Sequence, residues 1–390
     1  MSNTAQYETH QYQFIDTAAD LESFCSALSG GDFIAIDTEF LREKTYYPEL
    51  CLVQIKQGDH LACIDTLAIK DLSALITLMN NQSITKVFHA AAQDMEIFVM
   101  LDKNAPAPIF DTQVAAPLLG YQEQIGYGNL VKDVLGITLA KTHTRADWSR
   151  RPIPEKQLHY ALDDVIHLEE LYLTLREQLT ARGRLEWLAE EFKDMSTMER
   201  YNKPAKLQWQ KLRAAQQMKG QQLATLQALA EWRELYARES NKPKSWVLKD
   251  DALSDLAKQR PNSPKELSHV RSVNSRVQEK LGEKLLAVIA DAADRKPEPL
   301  PAYIKTAKPT AMQVATTDAL TAVVSAVALQ HDVNPAQLAT RKQLQNMVID
   351  GNSDAVVGWQ KAILGSTIDE FLSGKISIST SNNEIVLTRH

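Results

Sequence analysis

Two hydrophobic rhythms divide this chain. Up to about residue 180, short apolar runs alternate with segments of helical spacing. Phe33-Ile34-Ala35-Ile36 runs into Asp37, and Leu50-Cys51-Leu52-Val53-Gln54-Ile55 and His60-Leu61-Ala62-Cys63-Ile64 flank a turn at Lys56-Gln57-Gly58-Asp59. Thr85-Lys86-Val87-Phe88-His89 is a further run. Such runs bounded by polar turn residues predict strands, the middle two as a hairpin. Apolar residues three and four apart predict helices over 72–79, 91–101, 112–119 and 155–179. An antiparallel start followed by strands alternating with helices predicts a mixed sheet covered by helices.

Past a linker at Asn202-Lys203-Pro204 the strand signals stop. The spacing predicts helices over 207–218, 223–240 and 280–294, broken near Lys242-Pro243-Lys244 and Arg260-Pro261-Asn262-Ser263-Pro264. Pro297-Glu298-Pro299-Leu300-Pro301 is a second, semi-rigid linker. Helical spacing resumes over 312–372. The tail, Ile376-Ser377-Ile378-Ser379-Thr380 and Ile385-Val386-Leu387, alternates with period two and fits either a small hairpin or a loose end. The two helical stretches are of similar length, without a strict repeat in sequence.

Composition narrows the class. A chain of 390 residues has room for two or three domains. At 44% hydrophobic and 24% charged it is too apolar for global disorder. No apolar run approaches the ~18–20 residues that span a bilayer, and the first residues lack the basic and apolar regions of a secretory signal. Cys25, Cys51 and Cys63 have no metal-ligand spacing and fit reduced core thiols in a cytoplasmic protein. Charge is uneven: residues 1–190 hold 15 Lys and Arg against 27 Asp and Glu, whereas residues 191–296 hold 21 against 14. An acidic block suited to cations thus precedes a basic block suited to a polyanion.

The acidic block contains the candidate chemistry. In Asp37-Thr38-Glu39, at a strand end, residues i and i+2 share a face, so both carboxylates enter one space and repel unless a cation lies between them. Tyr160 and Asp164 are four apart on a helix and stack one turn above the other, while Asp163 points elsewhere. A metal-water site or a solvent-facing pair both fit that spacing. Phe88-His89-Ala90-Ala91-Ala92-Gln93-Asp94 reads as strand, small-residue turn and helix, with Asp94 in the first turn, where an acid also complements the helix dipole. His89 is either a pocket residue or a hydrogen-bonded strand-end histidine. Trp148, Arg150 and Arg151 either guide a substrate or sit in an exposed loop. Lys242, Lys244 and Lys249 surround Trp246, which reads as core more readily than as a stacking platform.

In order and spacing, Asp37, Glu39, Asp94, Tyr160 and Asp164 resemble the motifs of the DEDD superfamily of 3′–5′ exonucleases, in its tyrosine subclass. Leu50–Ile55 and Trp148-Ser149-Arg150-Arg151-Pro152 extend the likeness to the ribonuclease D family. Residues 210–292 and 312–374 resemble helicase-and-RNase-D C-terminal (HRDC) domains, the first through Pro243–Leu248 and Pro264-Lys265-Glu266-Leu267. The resemblance implies an α/β ribonuclease H-like exonuclease domain over 1–200, HRDC domains over 207–294 and 305–375, and a tail over 376–390.

It also implies two divalent ions, Mg²⁺ or Mn²⁺. Asp37 would bridge both, Glu39 and Asp164 would complete the first, and Asp94 would order waters on the second. Tyr160 would orient the attacking water or also help to deprotonate it, and Thr38, Phe40 and His89 would contact the terminal nucleotide. The expected reaction removes nucleoside 5′-monophosphates from RNA 3′ ends, with tRNA precursors as the leading substrate, in a monomeric cytoplasmic protein without a membrane partner. A DNA 3′–5′ exonuclease and a non-catalytic nucleic-acid adaptor are the rival readings.

Overall fold

In the computed structural model, which describes residues 11–139, 146–300, 308–382 and 384–390, the early apolar runs assemble into a six-stranded sheet. Its strands are β1 (Gln13–Ile15), β2 (Phe33–Leu41), β3 (Glu49–Gln57), β4 (His60–Ile64), β5 (Thr85–Phe88) and β6 (Ile109–Asp111), in the order β1-β4-β3-β2-β5-β6. β3 and β4 form the antiparallel hairpin, turning at Gly58, whose φ of 55° glycine adopts at no steric cost. β1 pairs with β4, β2 with β5 and β5 with β6, all in parallel. Leu50 through Ile55 are buried without alternation, as strands covered on both faces are.

The covering helices are α1 (Ala18–Leu28), α2 (Ser73–Asn80), α3 (Ala92–Asp102), α4 (Thr112–Ala115), α5 (Tyr127–Leu135), α6 (Glu155–Ala181) and α7 (Ala189–Met195). Residues 112–119, expected as one helix, divide into α4 and a 3₁₀ turn over Ala116–Leu119, because Pro117 brings no amide donor for a continuing α-helix. α6 buries Leu158, Ala161, Leu162, Val165, Leu168 and Leu171 along one stripe, so Tyr160 and Asp164 lie on its flank.

The chain folds as two compact units. One comprises the segments up to Glu39, Leu52–Thr197 and from residue 305 onward; the other gathers Phe40–Cys51 with the chain from Met198 to residue 304. The second unit contains α8 (Met198–Tyr201), α9 (Gly220–Glu239), α10 (Lys244–Val247), α11 (Asp250–Gln259), α12 (Pro264–Ser268) and α13 (Ser275–Asp291) around Leu226, Leu229, Leu253, Leu256 and Leu285. The α-helix expected over 207–218 is instead two 3₁₀ segments, Ala205–Lys211 and Arg213–Gln217. The reason is the period: Trp209, Leu212, Ala215 and Met218 are buried at intervals of three, the repeat that a 3₁₀ helix places on one edge. Trp246, expected in the core, is 61% exposed. Within the same unit Tyr46 donates its hydroxyl to Glu234, whose carboxylate also binds Arg238 and Lys244. Asn241 Oδ1 accepts from the amides of Tyr46 and Tyr47 at 3.1 Å each.

The C-terminal segment of the first unit has α14 (Ala311–Gln330), α15 (Pro335–Leu338), α16 (Arg341–Asp350), α17 (Gly358–Leu364) and α18 (Thr367–Leu372), closed by the hairpin β7 (Ile376–Ser381) and β8 (Glu384–Arg389). Contrary to the sequence expectation, α14 is long and apolar enough to cross a bilayer by length and composition. Here Leu320, Val323, Val324, Val327 and Ala328 give it a core stripe against Leu338, Leu344 and Leu364. Trp187 stacks on Trp359 at 4.6 Å, and Arg184 donates to the carbonyls of Leu118, His331 and Asp332.

A repeat hidden in the sequence is plain in the elements. α9, α10 and α11 have 20, 4 and 10 residues, and so do α14, α15 and α16. Their starts pair 91 residues apart: 220 with 311, 244 with 335, 250 with 341. Asn241 and Asp332, at the same separation, are both left-handed.

Candidate active site

β2 carries Asp37 and Glu39 past the last fully buried residue of its run, Ile36, and its two-residue period sends both carboxylates to one face. Asp164 approaches from the flank of α6. Among the described residues, ligand oxygens of Asp37, Glu39 and Asp164 all lie within 4.8 Å of one another, each residue partly buried. Thr38, between the two acids, turns the other way, is itself buried, and donates its hydroxyl to Asp94 Oδ1 at 2.5 Å.

Asp94 occupies the first turn of α3 and is buried. Its turn is built by a residue outside the candidate motifs. Asp111, at the end of β6, accepts the amides of Ala90 at 3.0 Å, Ala91 at 2.9 Å and Gln113 at 2.8 Å. Ala90, left-handed at φ 62°, is held there by that carboxylate. The available signal was local: an acid closing a strand and followed by Thr112 is a helix cap.

Electrostatically the site is frustrated. Burial and then Asp164 and Asp94 push the Glu39 carboxyl up to about 8. Burial, opposed by the Thr38 hydroxyl, takes Asp94 to about 7, and burial with neighbouring Asp163 takes Asp164 to about 7. Asp37 is raised well above the carboxylate range by burial and by the charges of Asp94, Asp164 and Glu39. Four acids that resist ionising together, offering oxygen donors only, suit a hard divalent cation. The donor chemistry therefore fits the expected metal.

Tyr160 stands next to the cluster. Burial, then Asp164, Glu39 and Asp37, push its phenol up to about 12. Trp148 lies over its ring with centroids 6.5 Å apart and planes at 27°. A second phenol went unnoticed in sequence: Tyr127, on α5, donates to the Asp163 carbonyl at 3.0 Å and is raised by burial and by Asp164 and Asp37.

The remaining candidates stand differently. The Ile125 carbonyl can only accept, so His89 Nε2 donates to it at 3.0 Å, while Nδ1 contacts the Thr112 hydroxyl at 2.9 Å. Both ring nitrogens are thus engaged within the protein, and burial lowers the imidazole's pKa. Phe40 follows Glu39 on β2 and is half-buried. Of the two readings open for Trp148 and Arg151, the exposed loop does not describe them. Trp148 is 5% exposed, and Arg151 binds Asp65 through Nε and Nη2 at 2.6 Å each. An ion pair across 86 positions leaves no trace in local spacing.

Comparison with known proteins finds relatives for both parts of the chain. A family profile described as 3′–5′ exonuclease matches residues 12–180, and an HRDC domain profile matches residues 222–289. The chain is 35% identical over 378 residues to ribonuclease D of Granulibacter bethesdensis, covering 96% of this chain and 95% of that one. It is 36% identical over 387 residues to ribonuclease D of Zymomonas mobilis, covering 97% and 98%. Among solved structures it resembles Escherichia coli RNase D, described as an exoribonuclease involved in structured RNA processing. That match has 30% identity and a TM-score of 0.79, over 93% of this chain and 99% of that one. The catalytic core of RRP6 from Trypanosoma brucei is similar at 26% identity with a TM-score of 0.57, over 75% and 83%.

Proposed function

Because the chain belongs to the ribonuclease D family, we propose that Asp37, Glu39, Asp94, Tyr160 and Asp164 carry its exoribonuclease chemistry and that small structured RNAs, tRNA precursors first among them, are its substrates. The chain is a 3′–5′ exoribonuclease, a hydrolase of phosphodiester bonds. The observation that carries the residue assignment is the convergence of three carboxylates within 4.8 Å, with Asp94 adding its charge.

Asp37, Glu39 and Asp164 would hold a divalent cation, Mg²⁺ or Mn²⁺, with Asp94 supporting a second. When bound, a cation pair neutralises charge developing on the phosphate and on the attacking and leaving oxygens. The protein's own contribution is placement. Thr38 holds the Asp94 carboxylate in place through its hydroxyl. Tyr160, whose phenol is raised to about 12 by burial and by the charges of Asp164, Glu39 and Asp37, would orient the attacking water, and cations on those acids would oppose that rise. His89, tied at both nitrogens, offers a nucleotide its ring and not a donor.

The basic block of residues 191–296 supplies sequence-independent phosphate attraction, with exposed Trp246 available to a base. The 91-residue repetition of element lengths supports reading residues 305–375 as a diverged second HRDC-like domain, after the exonuclease domain over 1–200 and the HRDC domain over 207–294, with 376–390 as a tail. Our reading places the protein as a monomer in the cytoplasm.

Incubating 5′-labelled RNA and DNA oligonucleotides, and a tRNA carrying a 3′ extension, with Mg²⁺, Mn²⁺ or chelator tests this. We expect a ladder shortening one nucleotide at a time on RNA, only with a cation, stopping near the mature tRNA end. Equal degradation of DNA would favour the DNA exonuclease, and inactivity with every cation would favour the adaptor.

A further inference from the structure

Tyr160 makes no hydrogen bond to any described residue, although its ring borders the carboxylate cluster. Something other than a bond to its hydroxyl must therefore hold the ring. The only aromatic ring recorded against it among the described residues is Trp148, which is nearly buried and lies across it at 27°. Trp148 is fixed in turn from behind. Its carbonyl accepts Arg151 Nη1 at 2.7 Å, and the same Nη1 donates to the Arg150 carbonyl at 3.0 Å. The other face of the guanidinium fork is bidentate on Asp65, at 2.6 Å on each oxygen.

Asp65 has little freedom to yield. It directly follows β4 and is 3% exposed. Its amide donates to the Ile15 carbonyl on β1 at 2.8 Å, and its Oδ1 accepts the amides of Leu67 at 3.1 Å and Ala68 at 3.2 Å. The residue is thus anchored to two strands' ends and a turn. A planar fork on a carboxylate fixes direction as well as distance, which a lysine at the same place would not do.

From these contacts we propose that Asp65, Arg151 and Trp148 form a positioning relay that runs from the sheet edge to Tyr160 and sets its phenol beside the carboxylate cluster. None of the three is a catalytic residue; they act through Tyr160. Arg151 is accordingly a structural link to the reacting group and not a guide for the RNA strand. The inference rests on Tyr160 acting in the chemistry, and its test separates the two claims.

The experiment is a double-mutant cycle on the full chain with Mn²⁺, following steady-state trimming of a 5′-labelled oligoadenylate. Arg151→Lys and Trp148→Leu are each made alone and together with Tyr160→Phe. Misplacing a reacting group by a fraction of an ångström is expected to lower kcat roughly 10-fold or more. KM and Mn²⁺ affinity should stay within about twofold, since the relay touches none of the acids. Trp148→Phe, which retains an aromatic face, should restore most of kcat. In the Tyr160→Phe background, Arg151→Lys and Trp148→Leu should each cost less than about twofold, because the group they position is already gone.

The same fold-loss in both backgrounds overturns the relay. So does a loss confined to KM, which is the result expected of an RNA-guiding arginine. If Tyr160→Phe turns over like the wild type, the catalytic reading of Tyr160 fails and the relay fails with it. Should Arg151→Lys not fold by thermal denaturation, Asp65→Asn, which keeps the shape and removes the charge, enters the cycle in its place with the same expectations.

Discussion

Raising the pH should loosen the metal-free protein, and a divalent cation should reverse the trend. In the folded chain Glu39 holds its proton up to about pH 8, because burial and the charges of Asp164 and Asp94 oppose ionisation. In the unfolded chain it releases that proton near its ordinary value of 4.5. Between these values the folded state binds more protons, so stability is present at low pH and is lost as pH rises through the window. At 1.36 kcal/mol per pH unit, Glu39 alone accounts for ~5 kcal/mol across the window and ~4 kcal/mol between pH 5 and 8. Asp94 and Asp164, both near 7, act in the same direction, but they share the repulsion already counted for Glu39, so their effects do not add in full. A loss of ~4 kcal/mol corresponds to a Tm lower by roughly 10 °C for a unit of this size.

The assay is thermal unfolding of wild type and Glu39→Gln in chelator at pH 5, 6, 7 and 8, repeated with saturating Mn²⁺. Comparing the two proteins removes the opposing contribution of His89, whose pKa burial lowers and which therefore adds stability as pH rises. The wild type should lose Tm with pH more steeply than Glu39→Gln in chelator. Mn²⁺ should raise wild-type Tm more at pH 8 than at pH 5, since it binds the ionised site. A wild-type Tm that is flat, or falls no faster than that of Glu39→Gln, refutes the claim that these acids are held protonated by one another.

Three further outcomes follow from the same contacts. Asp37→Ala should abolish RNA trimming while RNA affinity, read by fluorescence anisotropy, stays within roughly threefold; trimming at the wild-type rate would remove Asp37 from the site. Glu234→Ala strands Arg238 and Lys244 and should cost ~3 kcal/mol in denaturant unfolding, against ~1 kcal/mol for Tyr46→Phe, which removes a single hydrogen bond. Equal costs would mean that the ion pairs add nothing. Lys86 is fully buried, donates to the carbonyls of Asn81, Ile84 and Ala107, and is lowered to about 8 by burial. Unfolding therefore takes up a proton between pH 8 and 10.5, so wild type should gain stability relative to Lys86→Met as pH rises through that range; a flat or falling difference would show that Lys86 stays charged in the fold.

What was readable from sequence is what the chain encodes by period. The two-residue repeat of β2 places Asp37 and Glu39 on one face, and the apolar stripe of α6 leaves Tyr160 and Asp164 on its flank one turn apart. The mixed sheet followed by helices was equally legible, since apolar runs and helical spacing are properties of consecutive residues. Tertiary structure decided the rest. Residues 207–218 have helical composition, but the core accepts every third residue, so 3₁₀ geometry won. Trp246 looks like core in its own segment, yet it is 61% exposed. Asp65 with Arg151, and Asp111 with Ala90 and Ala91, are pairings between residues 20 to 86 positions apart. Periodicity specifies which face of an element is apolar; which carboxylate meets which donor depends on how distant elements pack, and no local pattern records that distance.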